Sequence, residues 1–266
     1  MKRIKLAVFV ALMAVMFCAC GKAHEPALEN EAAPSSAPQA DTCANGVLSA
    51  QDFERLSLIR KEEIYGQSVL IYPVLEDERY GNINGLIANR IKEAVRSVPQ
   101  SVSTTFRIKC NHAGVLSMVV DLMDITTDEL IARLPLTYDI ASGKEVALEN
   151  CFLDSTQAWR AYLPDAVTLQ AGARGMVLLS DIAPIADGQF FFTTGKSLVL
   201  VYRPYEISTY AAGWPEFAIP LESLSEWFCQ DGPLARLYAD SALGINPEPE
   251  TETEENEAPA AMEGEG

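Results

Sequence analysis

Apolar positions along this chain fall into short blocks whose period switches between two and about 3.6 residues. QSVLIYPVL (67–75) is an apolar block with turn residues beside it and predicts a strand. In YGNINGLIANRIKEAVRSV, Ile83, Leu86, Ile87, Ile91, Ala94, Val95 and Val98 recur at helical spacing behind Asn82, which is expected to cap the helix. TTFRIKC alternates strictly, setting Phe106, Ile108 and Cys110 on one face against Arg107 and Lys109 on the other. Cys110 therefore reads as an inward residue of a half-buried strand.

LSMVVDLM (116–123) and IARLPLTYDI (131–140) continue as strands, and Pro135 in the second asks for an edge position or a bulge. Ser142–Gly143 turns the chain into KEVAL as a hairpin. Asp154 or Ser155 is placed to cap a helix carrying Trp159, Leu163, Ala166 and Val167, with Pro164 expected to kink it. Asp187–Gly188 and Gly195–Lys196 bracket the strands of a second hairpin at about 189–203, and LESLSEWFC closes as a helix ending at Cys229. Helices interleaved with antiparallel hairpins predict an α+β fold, an antiparallel sheet with helices packed on one side.

The two ends differ from this middle. MKRIKLAVFVALMAVMFCACGK has a basic start (Lys2, Arg3, Lys5), an apolar run from Leu6 to Phe17, and Ala19 before Cys20. That pattern predicts a secretory leader over 1–19, cleaved to expose Cys20 as a lipidated first residue. An uncleaved membrane anchor is the alternative; the run is short of the roughly 20 apolar residues that cross a bilayer. Cys18, so near the cut, departs from the pattern. Residues 20–42, rich in Ala, Pro, Ser and Glu, read as a flexible tether, and 247–266 as a disordered acidic tail. Two α+β subdomains, 43–125 and 126–246, are expected between them.

Net charge is −17, and losing the leader's three cations would deepen it. Nucleic acid and anionic membrane surfaces are poor partners for such a chain, so membrane attachment is expected through the lipid alone. Beyond Cys18 and Cys20, an even set remains: Cys43, Cys110, Cys151 and Cys229. In an exported chain this argues for two disulfides, and Cys43–Cys110 with Cys151–Cys229 is the expected pairing, because each half of the domain then closes on itself. In the loop-entropy picture each bridge would stabilise the fold by about 4 kcal/mol.

Familiar catalytic sets are missing. His24 lies in the tether and His112 reads as a turn residue; G-x-S-x-G, a glycine-rich phosphate loop and H-E-x-x-H do not occur. No cofactor or metal is implied. A carboxylate pair of the glycosidase type stays open, since it depends on separation in space rather than in sequence.

The run LTYDIASGKEVALENCF, and after it GQFFFTTGKSLVLVYRPYEISTYAAGWPEFAIPLESL, resembles the extracytoplasmic domain of the lysozyme-sensing anti-sigma factors of the RsiV type. That domain also accompanies some peptidoglycan deacetylases. The resemblance covers most of Glu62–Phe228 and implies a non-catalytic recognition module. With only MKRIK before the apolar run, and no deacetylase domain, anti-sigma and deacetylase activities are not expected to carry over. Recognition is what the resemblance transfers, with lysozyme or peptidoglycan as candidate partners. The expected protein is thus a lipoprotein of the bacterial cell envelope, facing periplasm or exterior.

RPYEISTYAAGWPEFAIP (203–220) concentrates turn residues and large amphipathic rings. It predicts a stiff corner from which Pro204, Tyr205, Glu206, Tyr210 and Trp214 form a candidate binding patch. For Trp214 and Phe217 packing under the next element is the stronger expectation.

Overall fold

The computed structural model describes residues 55–243 apart from 154 and 156. Cys20, Cys43, Asp154, the tether and the acidic tail therefore lie outside the described residues.

Nine strands and three α-helices make up the described chain: β1 (Leu58–Tyr65), β2 (Ser68–Leu75), α1 (Gly81–Ser97), β3 (Val102–His112), β4 (Val115–Asp124), β5 (Leu130–Asp139), β6 (Lys144–Glu145), α2 (Ala158–Ala173), β7 (Phe191–Thr193), β8 (Ser197–Val201), β9 (Glu216–Pro220) and α3 (Pro233–Ala242). β1 to β6 lie in sequence order in one sheet, and β7, β8 and β9 form a second. Every pair is antiparallel except β2–β3, which α1 joins as a crossover and which align in parallel at Val69 and Ser103. β4 and β5 pair with one another, with an irregularity between Leu122 and Met123, so residues 125 and 126 lie in the turn of a single hairpin.

α1 buries Ile83, Ile87, Ile91 and Val95 against Leu70, Tyr72, Met118, Leu136 and Tyr138 on one face of the large sheet. On the other face, Val119 meets Phe192, Val199 and Val201 of the small sheet. The far face of that small sheet, carrying Leu198, Leu200, Phe217 and Ile219, packs on α2 and α3 through Trp159, Leu163, Val167, Leu234 and Leu237. SLVLV of β8 is buried on both faces, which is why it is a continuous apolar run rather than an alternating one. Helices consequently lie on both outer faces of two stacked sheets, rather than on one side of a single sheet. No described helix is long and apolar enough to cross a membrane.

Pro135 pairs with Val119, on a stretch of β5 that β6 does not reach, since β6 covers only Tyr138 and Asp139. That is the edge position its missing N–H requires. Asn82 does not cap α1: the helix begins at Gly81, and the Asn82 amide instead donates to the Gly143 carbonyl at 2.9 Å. Ser155 is not the N-cap of α2: the helix starts at Ala158 behind Gln157, whose own side chain makes no capping hydrogen bond. LESLSEW forms a 3-10 helix, and the last α-helix is α3, opened by Gly232 and Pro233.

Neither expected cysteine pairing is formed, because Cys110 and Cys151 are both buried free thiols. The Cys110 Sγ sits 3.4 Å from His112 Nδ1, and the Cys151 thiol turns to the Ala147 carbonyl. The segments around Cys151 and Cys229 do meet, but through the backbone. Cys229 N donates to Cys151 O at 3.0 Å and Leu153 N to Trp227 O at 2.9 Å. Proximity was legible; the chemistry joining the two segments was not.

Candidate functional site

β8 and β9 are joined by the long corner 202–215, closed at its base by Tyr202 N donating to Pro215 O at 3.0 Å. Within it Arg203 to Glu206 form a tight turn. Glu206 N donates to Arg203 O at 3.1 Å, and the Glu206 carboxylate accepts from Arg203 N at 2.8 Å. Pro204 supplies the fixed φ that the second position of such a turn favours. Tyr205 then takes φ +67, a left-handed conformation costly for a residue with a ring on its Cβ.

That strained residue is exposed to 67%, and Tyr210, at 63%, stacks on it with ring centroids 5.6 Å apart. Tyr210 opens a 3-10 turn ended by Gly213 at φ +65. Between the two rings the chain dives inward, burying Ile207 and Ser208. Ser208 bridges to Leu178, and Leu179 N donates to Ile207 O at 2.9 Å. The corner is therefore pinned at its base, its middle and its end. Trp214 is half-buried against the Val119, Phe192, Val199 and Val201 group, and Phe217 is fully buried. Of the five candidate residues, Tyr205, Glu206 and Tyr210 stand outward, Pro204 is half-covered, and Trp214 packs inward.

Glu206 and Arg203 also form one wall of a cleft of about 180 Å³ whose other wall is Asp187, Gly188, Gln189 and Phe190. The β7–β8 hairpin brings the walls together: Val201 N donates to Phe190 O at 2.9 Å, and the Gln189 amide donates to Val201 O at 3.0 Å. The Arg203 guanidinium lies over the Phe190 ring at 4.5 Å, a cation–π contact that holds it flat. Asp187 is tied to Arg160 of α2 at 2.5 Å. Beneath the turn, the Tyr202 hydroxyl is buried with no hydrogen-bond partner among the described residues. Burial, and then the Glu206 charge, push its ionisation well above the ordinary phenol range.

Asp187, Gln189, Phe190 and Arg160 were not picked out from the sequence. Nothing local marks them; they reach the corner only through the hairpin register. Elsewhere the prominent carboxylates are held by cations: Asp121 by Arg107 and Arg133, Asp139 by Arg236, and Glu63 by Lys92. Among the described residues no cluster of three or more His, Cys, Asp or Glu is placed to hold a metal ion.

Residues 164–222 match the family model described as "Protein of unknown function (DUF3298)", a span that includes the corner and the cleft. The fold is similar to that in a crystal structure of a DUF3298 family protein from Pseudomonas aeruginosa PAO1, with a TM-score of 0.52 and 14% identity over 68% of this chain and 96% of that one. A DUF3298 family member from Bacteroides fragilis also matches, with a TM-score of 0.47 and 16% identity over 69% of this chain and 97% of that one. No curated protein sequence matches. The chain carries a DUF3298 domain, and its most exposed aromatic corner lies inside that domain.

Proposed function

We propose that the chain is an exported lipoprotein displaying a non-catalytic recognition domain for a cell-wall component or a wall-active protein such as lysozyme. The observation carrying this reading is the exposed, stacked Tyr205–Tyr210 pair on a corner fixed by three backbone links. Rigid tyrosines give large contact area at small entropic cost, and they dominate binding hot spots. Holding Tyr205 in a left-handed conformation costs stability, which selection tolerates more readily where the ring serves a partner. The leader ending at Ala19–Cys20 supports export and lipid anchoring, and the resemblance to the lysozyme-sensing domain supplies the partner class. A net charge of −17 favours encounter with a strongly basic partner.

A second reading, a carbohydrate-active enzyme, draws on Asp187 and Glu206 facing one cleft. Asp187 commits a carboxylate oxygen to the Arg160 guanidinium at 2.5 Å and Glu206 one to the Arg203 amide at 2.8 Å, so neither stands free as a catalytic pair requires. Incubating the purified chain with peptidoglycan separates the two. Retention of the chain on peptidoglycan or lysozyme, with no reducing sugar released, is the expected result; release abolished by Glu206→Gln or Asp187→Asn would replace this reading with the enzymatic one.

A further inference from the structure

We infer that the cleft between Asp187–Phe190 and Arg203–Glu206 takes one uncharged pyranose ring of a glycan, with the Tyr205–Tyr210 pair as the stacking platform for the adjoining sugar. This rests on the recognition reading and commits it to a ligand class.

Size is the first argument. A volume of about 180 Å³ falls short of the 300 Å³ or more typical of sites for drug-sized ligands and suits a small ring rather than a large ligand. Wall chemistry is the second. Asp187, Gln189, Arg203 and Glu206 are planar groups with paired donors or acceptors, and such groups match vicinal hydroxyls, which both donate and accept. Phe190 leaves the floor partly apolar, and a sugar ring has apolar C–H faces. The third argument is the platform. Tyr205 lies in the same four-residue turn as the lining residues Arg203 and Glu206, and its ring and that of Tyr210 are exposed. Aromatic rings stack on sugar faces, and their hydroxyls remain free to hydrogen-bond.

Preorganisation is the fourth. Arg203 is held on Phe190, Asp187 on Arg160, Gln189 on Val201 and Glu206 on the Arg203 amide. Little side-chain freedom is left to lose on binding. Charge restricts the ligand further. Asp187 and Glu206 are balanced by Arg160 and Arg203, so the cleft offers no cationic excess to hold an anionic sugar, nucleotide or phosphate.

The test is a titration of the purified full chain with chitotetraose, cellotetraose and a galacturonic acid tetramer, followed by calorimetry and amide NMR. Saturable binding of at least one neutral oligosaccharide is expected, with shifts centred on Gly188, Gln189 and Glu206. Galacturonate should bind at least tenfold more weakly. Glu206→Gln preserves the shape of the turn but replaces a charged acceptor with a neutral amide, and Gln189→Ala removes an amide partner; each should lower affinity about tenfold. Unchanged melting of Glu206→Gln guards against misfolding. Failure of both neutral tetramers to bind, or binding indifferent to Glu206→Gln and Gln189→Ala, overturns the inference. A parallel titration with lysozyme separates the two levels. Lysozyme binding that needs the tyrosines, with no sugar binding, removes the glycan and leaves recognition standing; absence of binding to sugars, peptidoglycan and lysozyme removes both.

Discussion

The backbone carbonyl of Arg160 accepts the amide of Ile185 at 3.2 Å. Pro164 stands four residues further along the same helix and has no N–H to give that carbonyl. An internal proline expected only to kink α2 thus frees an acceptor, and the loop before β7 takes it. Arg160 reinforces the link with its side chain, donating to Ile185 O at 2.6 Å and to Asp187 at 2.5 Å. One wall of the cleft is in this way positioned by a helix defect.

Replacing Pro164 with Ala restores a competing helical donor. Removing an interior proline usually gains about 3 kcal/mol; the gain here is expected to be much smaller, because the orphan carbonyl is already satisfied. Amide exchange at Ile185 should accelerate in Pro164→Ala, and an unchanged exchange rate would show that the linkage does not hold the loop.

Arg236 is 7% exposed and donates to Asp139 at 2.5 Å, to Ala113 O at 3.2 Å and to Asp231 O at 2.7 Å. It ties α3 to the β3–β4 turn and to the end of β5. Arg236→Ala leaves a buried carboxylate uncompensated and should cost about 3–5 kcal/mol in urea unfolding. Combining it with Asp139→Asn should cost less than Arg236→Ala alone, which distinguishes charge burial from lost packing.

Stability should fall in acid in two stages. Burial holds the His112 imidazolium below its ordinary value of 6.5, so the unfolded chain binds the proton more readily and stability declines as pH drops through about 6.5. Glu63, hydrogen-bonded to Lys92 and then Tyr72, titrates at about 2 instead of 4.5. Its contribution is present above 4.5 and is lost as pH falls from there toward 2. Urea midpoints at pH 8, 5.5 and 3 should decrease in that order, and Glu63→Gln should flatten only the last step.

Buried thiols should be silent in the native chain. Burial pushes Cys110 up to about 12 and Cys151 above that, which leaves almost no thiolate at neutral pH. A disulfide-exchange reagent at pH 8 should leave both unmodified within the folding lifetime and label both promptly in guanidinium. Prompt labelling of native protein would mean that the core around His112 and Ala147 opens readily.

The elements with a strong period were legible from sequence: α1, α2, β2 to β5 and the β7–β8 hairpin all form where the pattern places them. β1 and α3 escaped notice. LIRKEEIY is an edge strand exposed along most of its length, so its polar positions swamp any alternation. α3 carries a Gly–Pro start signal, but Arg236 and Asp240 are buried in it, and charged residues on an inward face disguise an apolar stripe. The candidate site was half legible. Tyr205 and Tyr210 belong to one contiguous motif, whereas Asp187, Gln189 and Arg160 join it only through hairpin register and a proline-freed carbonyl. Sequence spacing carries no trace of either. The two expected cysteine pairings went astray for a related reason: an even cysteine count cannot show that Cys110 and Cys151 point into the core.

The central claim is that Tyr205 and Tyr210 are displayed for a partner. Its most direct test is a titration of the chain, and of Tyr205→Gly/Tyr210→Ala, against lysozyme and soluble peptidoglycan fragments at two salt concentrations. Glycine suits the φ of +67 at position 205, so the variant should melt no lower than the parent. The account predicts saturable binding by the parent that weakens only modestly in salt, and a loss of about thirtyfold or more in the variant, the scale of a hot-spot tyrosine. Equal binding by both, or none by either, would contradict it.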